Sequence, residues 1–209
     1  MVTKLELYNK ALSHLGPTRL LTDTENRPDR HELDSAYQGV LASMLERGLW
    51  YFALRSSMLL PDTDVEPRFG RPHAYRLPDD YVRLRLICVD ERMEIEDLSY
   101  RRERDVLYSD AARLFVSYVS DDANYGRNLG AWTELFCEAF AAELAYQSGL
   151  PITKDRGTKN DLLIIKKQTL FDAKRLEAVD ERVKFKPLGS WVKSRLARST
   201  ATLQRRERQ

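Results

Sequence analysis

The sequence predicts an α+β protein: a bundle of about four helices, a small antiparallel β-rich lobe and an extended C-terminal arm. Apolar residues recur at helical spacing before residue 48 and again after residue 129. Between these regions, apolar and polar residues alternate as in strands with one solvent face. After residue 180 the chain becomes polar and basic and loses its periodicity. We therefore expect a body over 1–180 and an arm over 181–209.

The first two helices are predicted at about 3–15 and 28–48. Thr3 suits an N-cap, and the first apolar face carries Leu5, Tyr8, Leu12 and Leu15. Pro28 suits the first position of the second helix. Gly48 follows the last periodic residue, which predicts a left-handed C-cap there.

The β-rich lobe is predicted over about 50–121. Val82, Leu84 and Leu86 alternate with arginines, and 113–121 is rich in β-branched and aromatic residues. Prolines and a glycine mark 62–72 as a loop, and the charged run 99–105 is interpreted as a solvated loop or helix surface. Three successive aromatics, Trp50, Tyr51 and Phe52, stand between the second helix and the lobe, and we expect them to seal helices against strands.

Two further helices are predicted at about 129–148 and 158–180. Gly149 and Pro151 are expected to end the former, and its acids Glu134 and Glu138 are expected to face solvent. The latter is expected to bury one side and to expose the other. The predicted buried side is Leu162, Ile165, Thr169, Ala173 and Leu176, and the predicted exposed side is Lys166, Lys167, Lys174 and Arg175.

Charge is distributed unevenly along the chain. Residues 181–209 hold nine Lys or Arg and two acids, a net charge of +7, whereas residues 1–180 hold 25 basic and 30 acidic groups, a net charge of −5. An acidic body with a basic tail is typical of a protein that uses the tail as an interaction arm. No apolar run is long enough to span a membrane, and the two distant cysteines favour a reducing compartment.

Patterns that carry catalysis are missing from the sequence. The three histidines are scattered without metal-ligand spacing, and no glycine-rich phosphate loop or nucleophile motif occurs. We therefore expect no catalytic, metal or cofactor site. Asp79 and Asp80 follow a proline and are interpreted as turn and cap residues. A small enzyme with a pocket near Asp79, Asp80 and Trp50 is the least supported alternative.

Three stretches taken together resemble a known family. They are "ALSHLG" at 11–16, "LASMLERGLWYFALRSSML" at 41–59 and "YRLPDDYVRL" at 75–84. The second resembles an L-x-x-G-x-W-x-F-A junction through Gly48, Trp50, Phe52 and Ala53. The third resembles a Y-x-L-P-x-D-Y motif through Tyr75, Leu77, Pro78, Asp80 and Tyr81. In this order they are similar to the head-to-tail adaptors, or tail tubular protein A family, of short-tailed bacteriophages.

The resemblance implies a structural role in the virion. Such adaptors form a ring, typically of twelve subunits, between the portal protein and the tail nozzle protein. The ring extends the channel through which genomic DNA passes without specific binding. The resemblance also implies that the chain is not an enzyme, needs no cofactor, contacts no membrane, and assembles in the host cytoplasm into the neck of the virion.

The arm supplies the remaining candidate residues. We expect it to become ordered against the portal or a neighbouring subunit, with Trp191 as its one large anchor. Its guanidinium groups suit carboxylate partners, and they belong to Arg195, Arg198, Arg205 and Arg206. The main alternative is a nucleic-acid-binding protein that uses this basic arm, and a functionally silent tail is a third interpretation.

Overall fold

The computed structural model describes residues 2–180, whose fold is α+β as predicted. Helices α1 (Lys4–Leu15) and α2 (Pro28–Arg47) precede six strands, and α3 (Glu134–Thr153) and α4 (Arg156–Asp180) follow them. The strands are β1 (Leu54–Leu59), β2 (His73–Arg76), β3 (Tyr81–Cys88), β4 (Arg101–Glu103), β5 (Val106–Ser109) and β6 (Leu114–Ser120). Residues Met1–Ala178 form one compact unit, and the second unit, Val179–Gln209, lies almost entirely outside the described residues.

The strands form two antiparallel sheets of three strands each, in the orders β1-β6-β3 (the first sheet) and β2-β5-β4 (the second sheet). The two sheets share a small apolar core, formed by Leu59, Tyr75, Leu77, Ile87, Leu107, Leu114, Val116 and Tyr118. On β6 these core residues alternate with residues on the opposite face, where Val119 joins the core of the helices. The first sheet therefore contributes to both cores.

The charged run at 99–105 was predicted to be a loop or a helix surface, and this prediction was wrong. Arg101, Arg102 and Glu103 form β4, which pairs antiparallel with β5 and places Arg102 opposite Leu107. All three β4 residues are exposed. The charges suit an edge strand, because charged side chains discourage pairing with other chains. Without one apolar face, the run carried no alternating signal from which a strand could be predicted.

Helices α1 and α2 both pack against α3. Thr3 caps α1 as predicted: its hydroxyl accepts from the Glu6 N–H, and the Glu6 side chain accepts from the Thr3 N–H. The face that α1 buries carries Leu7, Tyr8, Ala11, Leu12 and Leu15. Together the three helices enclose the larger of the two cores.

The predicted bounds of α3 were wrong at both ends. Leu129–Ala131 is a separate short turn, and α3 begins after Thr133, whose hydroxyl accepts from the Phe136 N–H. At the other end, α3 continues through Pro151 to Thr153, and it ends where Lys154 adopts the left-handed conformation with φ 56°. In this last turn the Thr153 hydroxyl donates to the Gly149 carbonyl oxygen at 2.8 Å.

Helix α4 buries less than its periodicity predicted. Leu162, Ala173 and Glu177 are its buried residues, and Leu176 is exposed although it was placed on the buried side. Lys166 was expected in solvent, but its side chain turns inward. The prediction failed because Lys166, a charged residue on the inner face of α4, was assigned to the solvent-exposed face on account of its charge.

Candidate functional site

The junction between α2 and the first sheet is built around Trp50. Its side chain is fully buried, and the indole N–H donates to the Met44 carbonyl oxygen at 2.8 Å. The ring meets Phe136 edge to face at a centroid distance of 4.7 Å, and Phe136 meets Phe52 at 4.8 Å. Trp50 therefore lies between helices and sheet, and a ligand cannot stack on it in this conformation.

The prediction of a left-handed C-cap at Gly48 was wrong. Its backbone is extended, with φ −140° and ψ 169°, a conformation that any residue adopts. A Cβ at this position would lie 2.5 Å from Cε2 of Trp50. Glycine is therefore required here because the tryptophan ring occupies the space of a side chain, which links the two motif residues sterically.

Tyr51, between Trp50 and Phe52, joins the junction to α4. Its side chain is partly exposed and lies near Arg85, whose guanidinium carbon is 5.6 Å from the ring centroid. Its backbone N–H donates to Oε2 of Glu177 at 2.8 Å. Within the aromatic run, Trp50 therefore packs in the core. The backbone N–H of Tyr51 holds the C-terminal half of α4 through Glu177.

Asp80, in the Y-x-L-P-x-D-Y motif, ties the start of β3 to β1 and β6. Its carboxylate accepts from Arg55 at 2.9 Å, from the Tyr118 hydroxyl at 3.1 Å and from the Ser120 hydroxyl. Burial disfavours the carboxylate, but these hydrogen bonds outweigh it and hold the pKa of Asp80 below its usual range. Neighbouring Asp79 is exposed, so the two carboxylates do not act as a pair.

The motif tyrosines hold the two sheets together. Tyr75 of β2 is fully buried, and its hydroxyl donates to the Ala111 carbonyl oxygen. The Tyr81 hydroxyl accepts from the Leu84 N–H at 2.9 Å and from Arg102 of β4 at 2.6 Å. Pro78 opens the turn, because its carbonyl oxygen accepts from the Tyr81 N–H at 3.0 Å. We call the contacts of Tyr75, Pro78, Asp80 and Tyr81 the sheet joint.

Glu143 is a buried acid on α3 that binds α2 and α4. Its carboxylate accepts from Arg47 at 2.8 Å, from Lys166 at 3.1 Å and from Gln147 at 3.1 Å. Burial opposes its charge, but these three partners outweigh burial, and the pKa of Glu143 is lowered. The ammonium group of Lys166 also lies 3.7 Å from the Tyr146 ring centroid.

The sequence reasoning missed Glu143, Arg55 and the pairing of Lys10. Glu134 and Glu138 were interpreted as a solvated face, but both accept from Lys10 of α1. A signal existed for Glu143, since it is the one acid within an apolar run that includes Phe140, Ala141, Ala142 and Leu144. Nothing in the sequence indicated which cations would meet these acids, because the partners lie on distant elements.

Other kinds of site can be assessed only over residues 2–180. There, no three metal-ligating side chains cluster, and no helix is long and apolar enough to cross a bilayer. Trp191, Arg195, Arg198, Arg205 and Arg206, the predicted contact residues of the arm, lie outside the described residues. The described candidate sites are therefore the junction, the sheet joint and the ion-pair cluster around Glu143.

Comparison with known proteins does not assign a family. No protein-family model matches the chain, and no curated protein matches it. The function is therefore inferred from the motif residues and the contacts that they make.

Proposed function

We propose that the chain is a head-to-tail adaptor of a short-tailed bacteriophage. In this role it is one subunit of a ring that joins the portal to the tail nozzle and extends the DNA channel. One observation supports the proposal most strongly: the residues that resemble the family's two motifs connect the helices to the first sheet and the first sheet to the second. Gly48, Trp50 and Phe52 connect the helices to the first sheet. The sheet joint connects the first sheet to the second.

A ring subunit needs this kind of construction. A ring subunit holds the portal and the tail nozzle together. It therefore needs rigid connections between its helices and sheets more than it needs a ligand-binding cleft. The charge of the body fits the same role. Each phosphate that a protein neutralises adds affinity and salt dependence, so a conduit should not be strongly basic. The body carries a net charge of −5, which favours passage of DNA over retention of it.

The arm completes the proposed role. We assign Trp191 and the four arginines 195, 198, 205 and 206 to contact with the portal or with a neighbouring subunit. Large aromatic anchors are among the residues that dominate the energy of such contacts, and guanidinium groups pair with carboxylates. A ring of identical subunits presents many copies of the arm, so weak individual contacts add in avidity.

The test is assembly with the portal protein encoded in the same genome. We expect the purified chain to sediment as a monomer, or weakly associated, and to form a ring of about twelve subunits when portal is added. Negative-stain images of the mixture would show a collar beneath the portal. Absence of any complex at micromolar concentrations would refute the adaptor role.

A second function is favoured by the composition of the arm. Nine basic and two acidic residues in 181–209 suit a nucleic-acid-binding tail. Deletion of residues 188–209 separates the two functions. For an adaptor, the truncated protein melts like the full chain but loses portal binding, and the full chain binds DNA only weakly at physiological salt. For a nucleic-acid-binding protein, truncation keeps the portal complex and abolishes tight DNA binding.

A further inference from the structure

One face of the first sheet packs on the helices over only part of its length. Leu54 of β1 and Val119 of β6 are paired on this face and join the core of the helices. Further along the strands, the same face carries a group of residues that we call the open half: Ser56, Met58, Leu86, Cys88, Phe115 and Ser117. Leu86, Phe115 and Met58 belong to neither apolar core of residues 2–180, and Met58 is 50% exposed. The open half therefore offers apolar surface to a further segment of chain.

An acidic loop borders the open half. Residues 89–100, which connect β3 to β4, hold five acids and one arginine, a net charge of −4. Val89 and Glu91 of this loop line one surface depression together with Phe115 and Arg113. The apolar surface and the acidic loop are therefore contiguous. This combination suits a segment that carries both apolar and basic side chains.

The C-terminal turns of α4 lie near the same face. Glu177 accepts from the Tyr51 N–H at 2.8 Å, and Tyr51 lies three residues before the first residue of β1. Burial lowers the pKa of Lys174, and the nearby charges of Arg47 and Arg83 lower it further. Arg83 belongs to the face of β3 that includes the open half. A segment that continues from this end of α4 has only a short distance to travel to the open half.

The beginning of the arm has the matching composition. Residues 182–186 read R-V-K-F-K, so basic residues alternate with Val183 and Phe185. Alternation of this kind is typical of an extended segment with one apolar side and one basic side. Seven extended residues, 182–188, span about 23 Å, whereas Ser56 and Met58 are about 7 Å apart along β1. The segment is therefore long enough to cover the open half.

We propose that residues 182–188 cover the open half of the first sheet of their own chain. Val183 and Phe185 pack on its apolar side chains, while Lys184 and Lys186 reach the acidic loop through their long aliphatic stems. The segment is tethered to α4, so its effective concentration at this face is high. The arm beyond residue 188 stays available for a partner. The inference does not depend on the adaptor role, because it divides the arm into a part that binds its own body and a part that extends from it.

Cysteine labelling tests the contact in the full-length chain. Cys88 lies in the open half, whereas Cys137 lies in the larger core and is the internal control. Phe185→Asp should uncover Cys88, so its rate of reaction with N-ethylmaleimide under native conditions should rise at least about tenfold, while Cys137 stays as slow as in the wild type. Leu203→Asp, in the distal part of the arm, is the matched variant and should change neither rate. Equal labelling of Cys88 in the wild type and in both variants would overturn the inference.

Charge reversal gives a second readout that removes no apolar group. Lys184→Glu/Lys186→Glu should raise the labelling rate of Cys88, and the further changes Glu91→Lys/Glu94→Lys, at exposed positions of the acidic loop, should restore the wild-type rate. A raised rate that is not restored would overturn the assigned position of the segment.

Dilution decides which chain supplies the segment. If each arm covers its own sheet, the labelling rate of Cys88 in the wild type should stay constant over about a hundredfold dilution, because the contact is intramolecular. A rate that rises on dilution would show that the arm of another copy covers the face, and it would overturn the inference.

Discussion

Helices α3 and α4 are neighbours in the chain but are held in different ways. Helix α3 buries eleven of its twenty residues, including four alanines that allow α1 and α2 to approach closely. Helix α4 is longer, at 25 residues, but buries only Leu162, Ala173 and Glu177 among those with described side chains. Helix α3 is surrounded by apolar side chains. Helix α4 is held by the buried Leu162 and Ala173 and by the contacts of Lys166 with Glu143 and of Glu177 with the Tyr51 N–H. We infer that α3 is a permanent part of the core and that α4 is attached at its surface.

The difference has a consequence for function. Elements with few buried apolar contacts open at a lower free energy than the core, and surfaces that engage partners are commonly drawn from them. The body formed by α1, α2, α3 and the sheets then acts as the rigid part of the subunit. Helix α4 is the helix with the fewest buried apolar residues for its length in the described part of the chain. Four substitutions test this division, in order of decreasing expected effect.

Trp50→Ala should be the most damaging change, because it removes the ring on which α3 and the junction pack. Large-to-small changes of buried aromatic residues cost about 3–5 kcal/mol, and we expect that range for the loss in unfolding free energy. Chemical denaturation would measure it. Tyr51→Ala is the matched control: its ring is partly exposed, so its cost should stay below about 1 kcal/mol. Equal costs would show that Trp50 is not the centre of the junction.

Gly48→Ala should destabilise the chain by about 2 kcal/mol, since overpacking of a filled site typically costs 1–3 kcal/mol. The added methyl group would lie 2.5 Å from the buried Trp50 ring. Gly39→Ala provides the opposite result at an open position of α2, where the better helix former should stabilise by about 0.5–1 kcal/mol. Thermal melting of both variants decides between them. Two shifts of the same sign would contradict the steric account of Gly48.

Glu143→Gln should weaken the attachment of α4 more than it weakens α3. The amide keeps the shape but loses two charge-assisted hydrogen bonds, for which we expect a cost of about 1.5 kcal/mol. Limited proteolysis should cut α4 sooner in the variant, while fragments that contain α3 persist. Lys167→Gln, at an exposed position of α4, serves as a control with an altered charge away from the inner face. Unchanged cleavage of α4 would remove Glu143 as its anchor.

Asp80→Asn should have the smallest effect, about 1 kcal/mol at pH 7, and that effect should depend on pH. The folded pKa of Asp80 is lowered, so the stabilisation is present above the unfolded value of about 3.9 and is lost as pH falls through the folded pKa. The gap between wild type and variant should therefore begin to narrow once the pH falls below the unfolded value. A gap that stays constant from pH 7 to 3 would show that the charge of Asp80 does not stabilise the sheet joint.

Much of the fold followed from local patterns. Helical spacing in α1 and α2, the Thr3 cap and the β-branched and aromatic composition of β6 depend on near neighbours, and the observed elements match them. Strand β3 forms as predicted, but its alternation is broken by register shifts, so Val82 packs on the core of the helices and Leu84 on the core of the sheets. The predictions that failed depend on distant residues. The space at Gly48 is set by the position that Trp50 occupies, and the inward turn of Lys166 is set by an acid on another helix. Contacts of this kind do not produce a periodic pattern in the sequence.

The candidate sites divide in the same way. The motif residues were identified from the sequence, but their tasks were not: Asp80 was interpreted as a turn residue, and it binds three side chains of β1 and β6. The exposed face of α4 was hidden by its mixed pattern, in which Ile164 and Phe171 interrupt a charged surface. Only the packing of the other side of α4 shows that residues 2–180 leave these two side chains exposed.

Hydrogen exchange of the backbone amides, followed by mass spectrometry, tests the division between α3 and α4 most directly. In the free chain, amides of α3 should exchange slowly and those of α4 markedly faster. If α4 exchanges as slowly as α3, the account of α4 as a helix attached at the surface of the body is wrong.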